Sequence, residues 1–96
     1  MPQTARWYFY VVRCADDTLY AGIATDVVAR FLKHSTGVGA KYLRPQIKRP
    51  MQLVLVQESP TKSGAMSLEA HFKRWPRTRK IAFILGFGRG GIQNDG

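Results

Sequence analysis

The sequence has a single cysteine, Cys14, and only two histidines among its 96 residues. One cysteine excludes an internal disulfide bond, and so few thiol and imidazole groups argue against a four-ligand zinc site. No apolar run approaches the roughly 20 residues that span a bilayer, and the first residues lack the apolar core of a secretion signal. We therefore expect a cytoplasmic protein that does not enter a membrane.

Acidic residues are also scarce. Six Asp and Glu stand against fifteen Lys and Arg, which gives a formal net charge of +9. Such an excess favours a polyanionic partner, and nucleic acid is the leading candidate because phosphate contacts release counterions. A membrane surface is the weaker alternative, because the basic residues are spread over several segments and do not form one basic amphipathic helix.

The hydrophobic pattern predicts a single domain. Aromatic and β-branched residues from Trp7 onward and over residues 19–23 predict a β-hairpin. The further predicted elements are a helix capped by Thr25 and ended before Gly37, a strand over residues 52–57 that is apolar on both faces, a helix over residues 62–75, and a short helix from Pro76 to near Leu85. We assign residues 1–85 to the domain and residues 86–96 to a flexible glycine-rich tail.

Four polar side chains are predicted to converge near this hairpin. Alternation along the strands places Tyr10 on one face of the first strand and Tyr20 on one face of the second. Arg30 and His34 are four positions apart, so they lie on one face of the following helix. Phosphodiester cleavage needs a proton acceptor, a fixed cation and a carboxylate that holds a divalent metal, and the first two are available here.

The carboxylate is not fixed by the pattern. Elimination among the six acidic residues leaves two candidates: Glu58, at the end of a strand, and Glu69, at the edge of the apolar stripe of a helix. A site around the hairpin and the first helix can receive Glu69 from a packed helix. Both candidates remain open at this point.

These residues resemble the signature of the GIY-YIG nuclease superfamily, and specifically its small single-domain bacterial branch of YhbQ type. Two three-residue blocks match Tyr8-Phe9-Tyr10 and Tyr20-Ala21-Gly22, within a resemblance that covers about residues 7–85. The later positions of the signature match Arg30, His34 and Glu69. Ala24 departs from the pattern, because relatives usually have Thr or Ser there.

The resemblance implies an α+β fold, with a small three-stranded antiparallel sheet flanked by helices in the order β-β-α-β-α-α. It also implies a metal-dependent endonuclease that hydrolyses phosphodiester bonds, weakly specific or selective for structure, with DNA favoured over RNA. The implied metal is Mg²⁺, with Mn²⁺ as the alternative. The missing hydroxyl at Ala24 keeps a second hypothesis open, a nucleic-acid-binding module that retains the fold and cleaves nothing.

The family mechanism assigns a role to each matched residue. Tyr10 is the general base toward water, helped by His34 as proton acceptor, because a phenol with a pKa of ~10 is mostly protonated at neutral pH. Arg30 stabilises charge on the scissile phosphate, and Tyr20 positions that phosphate by a hydrogen bond. Glu69 holds the metal, whose remaining ligands are water and phosphate oxygens.

Seven basic residues are predicted to contact phosphates without reading base sequence. They fall in a proline-interrupted loop over residues 40–50 and around the junction of the last two helices. They are Lys41, Arg44, Lys48, Arg49, Lys73, Arg74 and Arg77.

Overall fold

A computed structural model describes the chain over residues 6–93, and its side chains over residues 6–86. The elements are β1 (Trp7–Arg13), β2 (Leu19–Ala24), α1 (Val27–Ser35), β3 (Gln52–Ser59), α2 (Lys62–Arg74) and α3 (Arg77–Gln93). Two single 3-10 turns, Lys41–Leu43 and Gln46–Lys48, lie in the loop between α1 and β3. The three strands form one antiparallel sheet, so the predicted α+β fold and element order are confirmed.

The first strand lies at the centre of the sheet, in the order β2-β1-β3. Four consecutive residues, Phe9 to Val12, are therefore buried, because helices and loops cover both faces of β1. We expected the apolar third strand to be covered on both faces. This strand lies at an edge of the sheet. Its faces are not fully covered, because Val56 is 38% exposed.

Each face of the sheet has its own core. On one face, Tyr10 and Val12 pack with Val27 of α1 and with Leu43 of the loop. On the other face, Phe9 and Val11 pack against Phe72 of α2, with Phe83 of α3 beside them. The alternation of β1 thus turns Tyr10 toward α1 and the loop, and that layer forms one wall of the candidate site.

Two helix boundaries differ from the predicted ones. Asp26, and not Thr25, caps α1, because its carboxylate accepts a hydrogen bond from the Ala29 amide at 3.0 Å. The last helix continues to Gln93 instead of ending near Leu85. Glycine weakens a helix by about 1 kcal/mol relative to alanine, but it does not by itself end one. The division into a domain and a flexible tail stays a prediction, and residues 94–96 lie outside the described part.

Within the described residues, no helix is both long enough and apolar enough to span a membrane.

Lys48 ties the long loop to the turn between β1 and β2. Its ammonium lies 2.8 Å from the Asp16 carboxylate and 3.1 Å from the Thr18 hydroxyl, which itself donates to Asp16 at 2.6 Å. The same ammonium lies 4.2 Å from the centre of the Tyr42 ring. The Lys48 side chain is only 10% exposed. This residue was predicted to contact nucleic acid, but its charge is neutralised inside the fold.

This ion pair predicts a loss of stability in acid. The hydrogen bonds from Lys48 and Thr18 lower the pKa of Asp16 to about 2. A carboxyl whose pKa is lowered on folding contributes stability above its unfolded pKa of ~4, and this contribution disappears as the pH falls through the folded value. We expect Asp16→Asn to be less stable than wild type at neutral pH, and the difference to shrink between pH 4 and pH 2, as measured by urea unfolding.

Asp26→Asn is a suitable control for that measurement, because asparagine also caps helices and Asp26 has no lysine partner of this kind among the described residues. A pH-independent difference between wild type and Asp16→Asn would contradict the assigned role of the pair.

Candidate active site

Tyr10 and His34 form a buried hydrogen-bonded pair. The Tyr10 hydroxyl oxygen lies 2.9 Å from Nε2 of His34, and the two residues are 1% and 0% exposed. The strand pairing places Gly22 of β2 opposite Tyr10. A Cβ atom on Gly22 would lie 2.6 Å from the Tyr10 hydroxyl oxygen, so the glycine leaves the space that the phenol occupies.

The backbone of the long loop orients the His34 ring. The Ala40 amide donates a hydrogen bond to Nδ1 at 3.2 Å, so Nδ1 carries no proton. Burial lowers the pKa of His34, and the charge of Arg30 lowers it further, so the ring is neutral near pH 7. The single ring proton is then on Nε2 and is donated to Tyr10. We predicted His34 as a proton acceptor for Tyr10, whereas this arrangement makes it a donor.

The electrostatics of Tyr10 connect it to the other predicted residues. Burial raises the pKa of its hydroxyl, and the neighbouring Arg30 guanidinium opposes that rise. Electrostatic interactions with Tyr20 and with the Glu69 carboxylate raise the pKa of Tyr10 further. Arg30, Tyr20 and Glu69 are therefore close enough to act on the phenol, although they come from three different elements.

Tyr20 lies between the buried pair and the surface. Its ring makes an edge contact with His34 at 5.5 Å between centres. On the outer side it lies nearly parallel to Tyr42, with the ring centres 6.0 Å apart. The predicted convergence of Tyr10, Tyr20, Arg30 and His34 is thus present in the structure.

The two candidate carboxylates lie in different places. Glu58 is on β3, across the sheet from β2, and pairs with Arg6 at 2.9 Å. Glu69 is on α2, its side chain is 22% exposed, and it pairs with Lys73 at 2.7 Å. Of the two carboxylates, Glu69 is the one whose charge contributes to raising the pKa of the Tyr10 hydroxyl, after burial and Tyr20.

Glu69 is the carboxylate that this cluster offers to a metal ion. Among the described residues, no three or more His, Cys, Asp and Glu side chains gather as a metal site. Glu69 can thus provide only a small part of a coordination shell. In proteins, Mg²⁺ usually keeps several water ligands and is held by one or two carboxylates together with phosphate oxygens.

Two open clefts flank the cluster. One, of about 320 Å³, is lined by Arg30 and Lys33 of α1 together with Trp7 of β1. The other, of about 200 Å³, is lined by Tyr20 and by the two lysines Lys73 and Lys80. Each cleft combines a residue of the cluster with a lysine, so each can receive a phosphate group next to the buried pair.

The predicted phosphate-binding residues differ in availability. Lys41, Arg44 and Arg74 are exposed, and Arg49 is half-buried, with its guanidinium donating to the Arg44 carbonyl at 3.2 Å. Arg77 and Lys73 are exposed but pair with Asp17 and Glu69. Apart from the buried Lys48 and the half-buried Arg49, these basic residues are exposed at the surface.

Sequence reasoning missed the groups that orient His34. Gly39 lies against the His34 ring, and a Cβ there would be only 2.9 Å from the His34 backbone nitrogen. The neighbouring Ala40 supplies the amide. The signal was the pair of glycines, Gly37 and Gly39, just after the helix. We interpreted them as the end of α1 and as part of a stretch, residues 37–42, that resembles the small bacterial branch. Gly37 does have a positive φ of 86°.

Comparisons with known proteins identify a family to which this chain is similar. A protein-family model described as the GIY-YIG catalytic domain matches residues 6–82. The UPF0213 protein of Streptococcus sanguinis is 48% identical over 77 residues, which cover 80% of this chain and 86% of the relative. The UPF0213 protein of Cupriavidus necator is 40% identical over 83 residues, which cover 86% and 88%.

Two solution NMR structures are also similar. The UPF0213 protein of Bacillus halodurans has a TM-score of 0.54 at 37% identity, and the match covers 82% of each chain. A protein of E. faecalis has a TM-score of 0.65 at 31% identity, and the match covers 100% of this chain and 97% of the other.

Proposed function

Because this chain belongs to the GIY-YIG family, we propose that it is a metal-dependent endonuclease that hydrolyses phosphodiester bonds of nucleic acid, with DNA as the favoured substrate. One observation carries the proposal. The buried Tyr10 hydroxyl accepts a hydrogen bond from His34, and although burial raises its pKa, the neighbouring Arg30 guanidinium opposes that rise. A phenol held in this way is suited to act as a base and is more than a packing residue.

The geometry supports a specific division of labour. Tyr10 first loses its hydroxyl proton to solvent, and the Nε2 proton of His34 and the guanidinium of Arg30 stabilise the resulting phenolate. The phenolate then removes a proton from the attacking water and returns to the neutral phenol. His34 does not take the proton itself, because Nδ1 already accepts from Ala40. Its task is to orient Tyr10 and to favour the deprotonated phenol.

We assign phosphate binding to Arg30 and Tyr20. Arg30 lines the cleft on one side of the cluster and Tyr20 the cleft on the other. A planar guanidinium can bind two phosphate oxygens at once and remains charged at any physiological pH. Tyr20 is partly buried, so its hydroxyl can position the phosphate while its ring packs on His34.

Glu69 would hold the divalent metal. The ion supplies charge that stabilises the developing negative charge on the phosphate. With one carboxylate from the protein, most of the remaining ligands must be water and phosphate oxygens, which is typical of Mg²⁺. Metal binding and substrate binding at this site would then depend on each other.

One observation favours the alternative of a module that binds nucleic acid without cleaving it. The carboxylate that would hold the metal is already paired with Lys73. Together with the missing hydroxyl at Ala24, this is compatible with a protein that uses only its basic surface. Salt-sensitive binding of nucleic acid without turnover would identify that function.

The proposal predicts metal-dependent cleavage that requires Glu69. Wild-type protein is incubated with structured DNA, single-stranded DNA and RNA, each in Mg²⁺, Mn²⁺ or EDTA, and products are resolved on denaturing gels. We expect cleavage of DNA with either metal and none with EDTA. Glu69→Gln should lower the rate by about 100-fold at limiting metal, because a metal ligand is lost.

Glu58→Gln is the matched control, because it makes the same chemical change at the other candidate carboxylate. Its rate should remain near that of wild type. Full activity of Glu69→Gln, or no metal-dependent cleavage of any substrate by wild type, would defeat the endonuclease proposal.

A further inference from the structure

We propose that Lys73 makes metal binding at Glu69 dependent on nucleic acid, so that the two ligands bind cooperatively. This inference rests on the proposed function, since it takes Glu69 as the metal ligand. It is carried by the ion pair between Nζ of Lys73 and Oε2 of Glu69, 2.7 Å apart. Without nucleic acid, the Glu69 carboxylate, which would hold the metal cation, is already paired with the Lys73 ammonium.

A divalent cation at Glu69 must compete with this ammonium. An exposed pair four residues apart on a helix is weak by itself. An ammonium that stays within about 5 Å of a bound dication, however, repels it strongly even at high dielectric. Effective metal binding therefore requires Lys73 to move away from Glu69.

The cleft lined by Tyr20 offers the Lys73 side chain an alternative position away from Glu69. Its side chain is 56% exposed, whereas that of Glu69 is only 22% exposed, so the lysine is the freer partner. Lys73 lines this cleft together with Tyr20 and Lys80. A phosphate in the cleft would attract the ammonium of Lys73 and leave the Glu69 carboxylate to the metal.

Cooperativity follows from this exchange of partners. Nucleic acid removes a competitor from Glu69, so it raises the affinity for metal. By linkage, metal raises the affinity for nucleic acid by the same factor. The protein would then hold little metal when free and would assemble its full site only on a polyanion.

Lys80 provides a matched control for Lys73. Both lysines line the same cleft, so either substitution removes one positive charge from it. The ammonium of Lys80, however, lies 5.5 Å from the ring centre of Phe72, and that of Lys73 contacts Glu69. Only Lys73→Met should therefore change metal binding in the absence of nucleic acid.

The experiment measures Mn²⁺ binding directly. Free Mn²⁺ is followed by electron paramagnetic resonance and bound Mn²⁺ by water-proton relaxation, with and without a short DNA duplex. Tyr10→Phe is present in every variant so that the duplex is not cut. Glu69→Gln in this background corrects for ions bound by the DNA itself.

We expect the duplex to raise the Mn²⁺ affinity of the Tyr10→Phe protein about fivefold or more. Adding Lys73→Met should raise the affinity about three- to tenfold without DNA and reduce the effect of the duplex by the same factor. Adding Lys80→Met should not change the affinity without DNA. Equal Mn²⁺ affinity before and after Lys73→Met would overturn the inference, and so would equal effects of Lys73→Met and Lys80→Met.

These outcomes separate the inference from the proposed function. If Glu69→Gln binds Mn²⁺ as well as the other proteins, with and without DNA, Glu69 is not a metal ligand and both ideas fail. If Glu69 is required but Lys73→Met behaves like its parent protein, only the cooperative role of Lys73 fails.

Discussion

Tyr10→Phe is expected to lower the rate of metal-dependent cleavage by about 10³- to 10⁴-fold, the upper part of the range for a lost general base. The substitution removes only the hydroxyl and keeps the ring, which is 1% exposed and packed against Val12 and Leu43. It leaves the Nε2 proton of His34 without its partner in a buried place. We therefore also expect a loss of about 1–2 kcal/mol in the free energy of unfolding.

Tyr8→Phe separates these two effects, because it makes the same change two residues earlier on the same face of β1. Its rate should remain within a few-fold of wild type. Single-turnover rates are measured at a temperature where both variants are folded by circular dichroism. Cleavage by Tyr10→Phe at the rate of Tyr8→Phe would show that the Tyr10 hydroxyl takes no part in the reaction.

Gly39→Ala is expected to damage both stability and activity. The added methyl group would meet Nδ1 of His34 and would lie 2.9 Å from its backbone nitrogen and 3.0 Å from its Cα. Backbone atoms of a helix cannot give way as the end of a flexible side chain can, so either α1 or the loop must shift. We expect a loss of about 2–4 kcal/mol in the free energy of unfolding, measured in urea.

The same shift would move the Ala40 amide away from the ring, so cleavage should fall more than the unfolded fraction explains. Gly86→Ala is the control, because it lies in α3 with open space around its Cβ position. There alanine should stabilise the helix by up to about 1 kcal/mol. If Gly39→Ala is as stable and active as Gly86→Ala, the close packing of Gly39 on His34 contributes neither to stability nor to activity.

The fold was largely predictable because local patterns agree with the tertiary structure. The aromatic run from Trp7 and the apolar stripe of α2 identify elements whose spacing matches their burial. The position of β1 at the sheet centre was not predictable, because the unbroken aliphatic run over residues 53–56 favoured β3 as the strand covered on both faces. Sheet order depends on which strand the loop and helices cover, and a local pattern does not contain that information.

The candidate site was predictable in its members and not in their chemistry. Spacing brings Tyr10, Tyr20, Arg30 and His34 together. The direction of the hydrogen bond between His34 and Tyr10 depends on the Ala40 amide, and the sequence indicates this backbone group only indirectly, through the neighbouring Gly39. The burial of Lys48 was likewise hidden, because its partner Asp16 lies far away along the chain, in a turn.

The burial of Tyr10 has a consequence for how this site can change over generations. The residue is a large member of the core and, under the proposal, the base of the reaction, so most replacements would harm folding before selection on activity could act. Phenylalanine is the replacement that keeps the volume of the ring. A descendant that kept the fold but lost catalysis would therefore accept few substitutions at this position. Selection for stability alone would retain the tyrosine there.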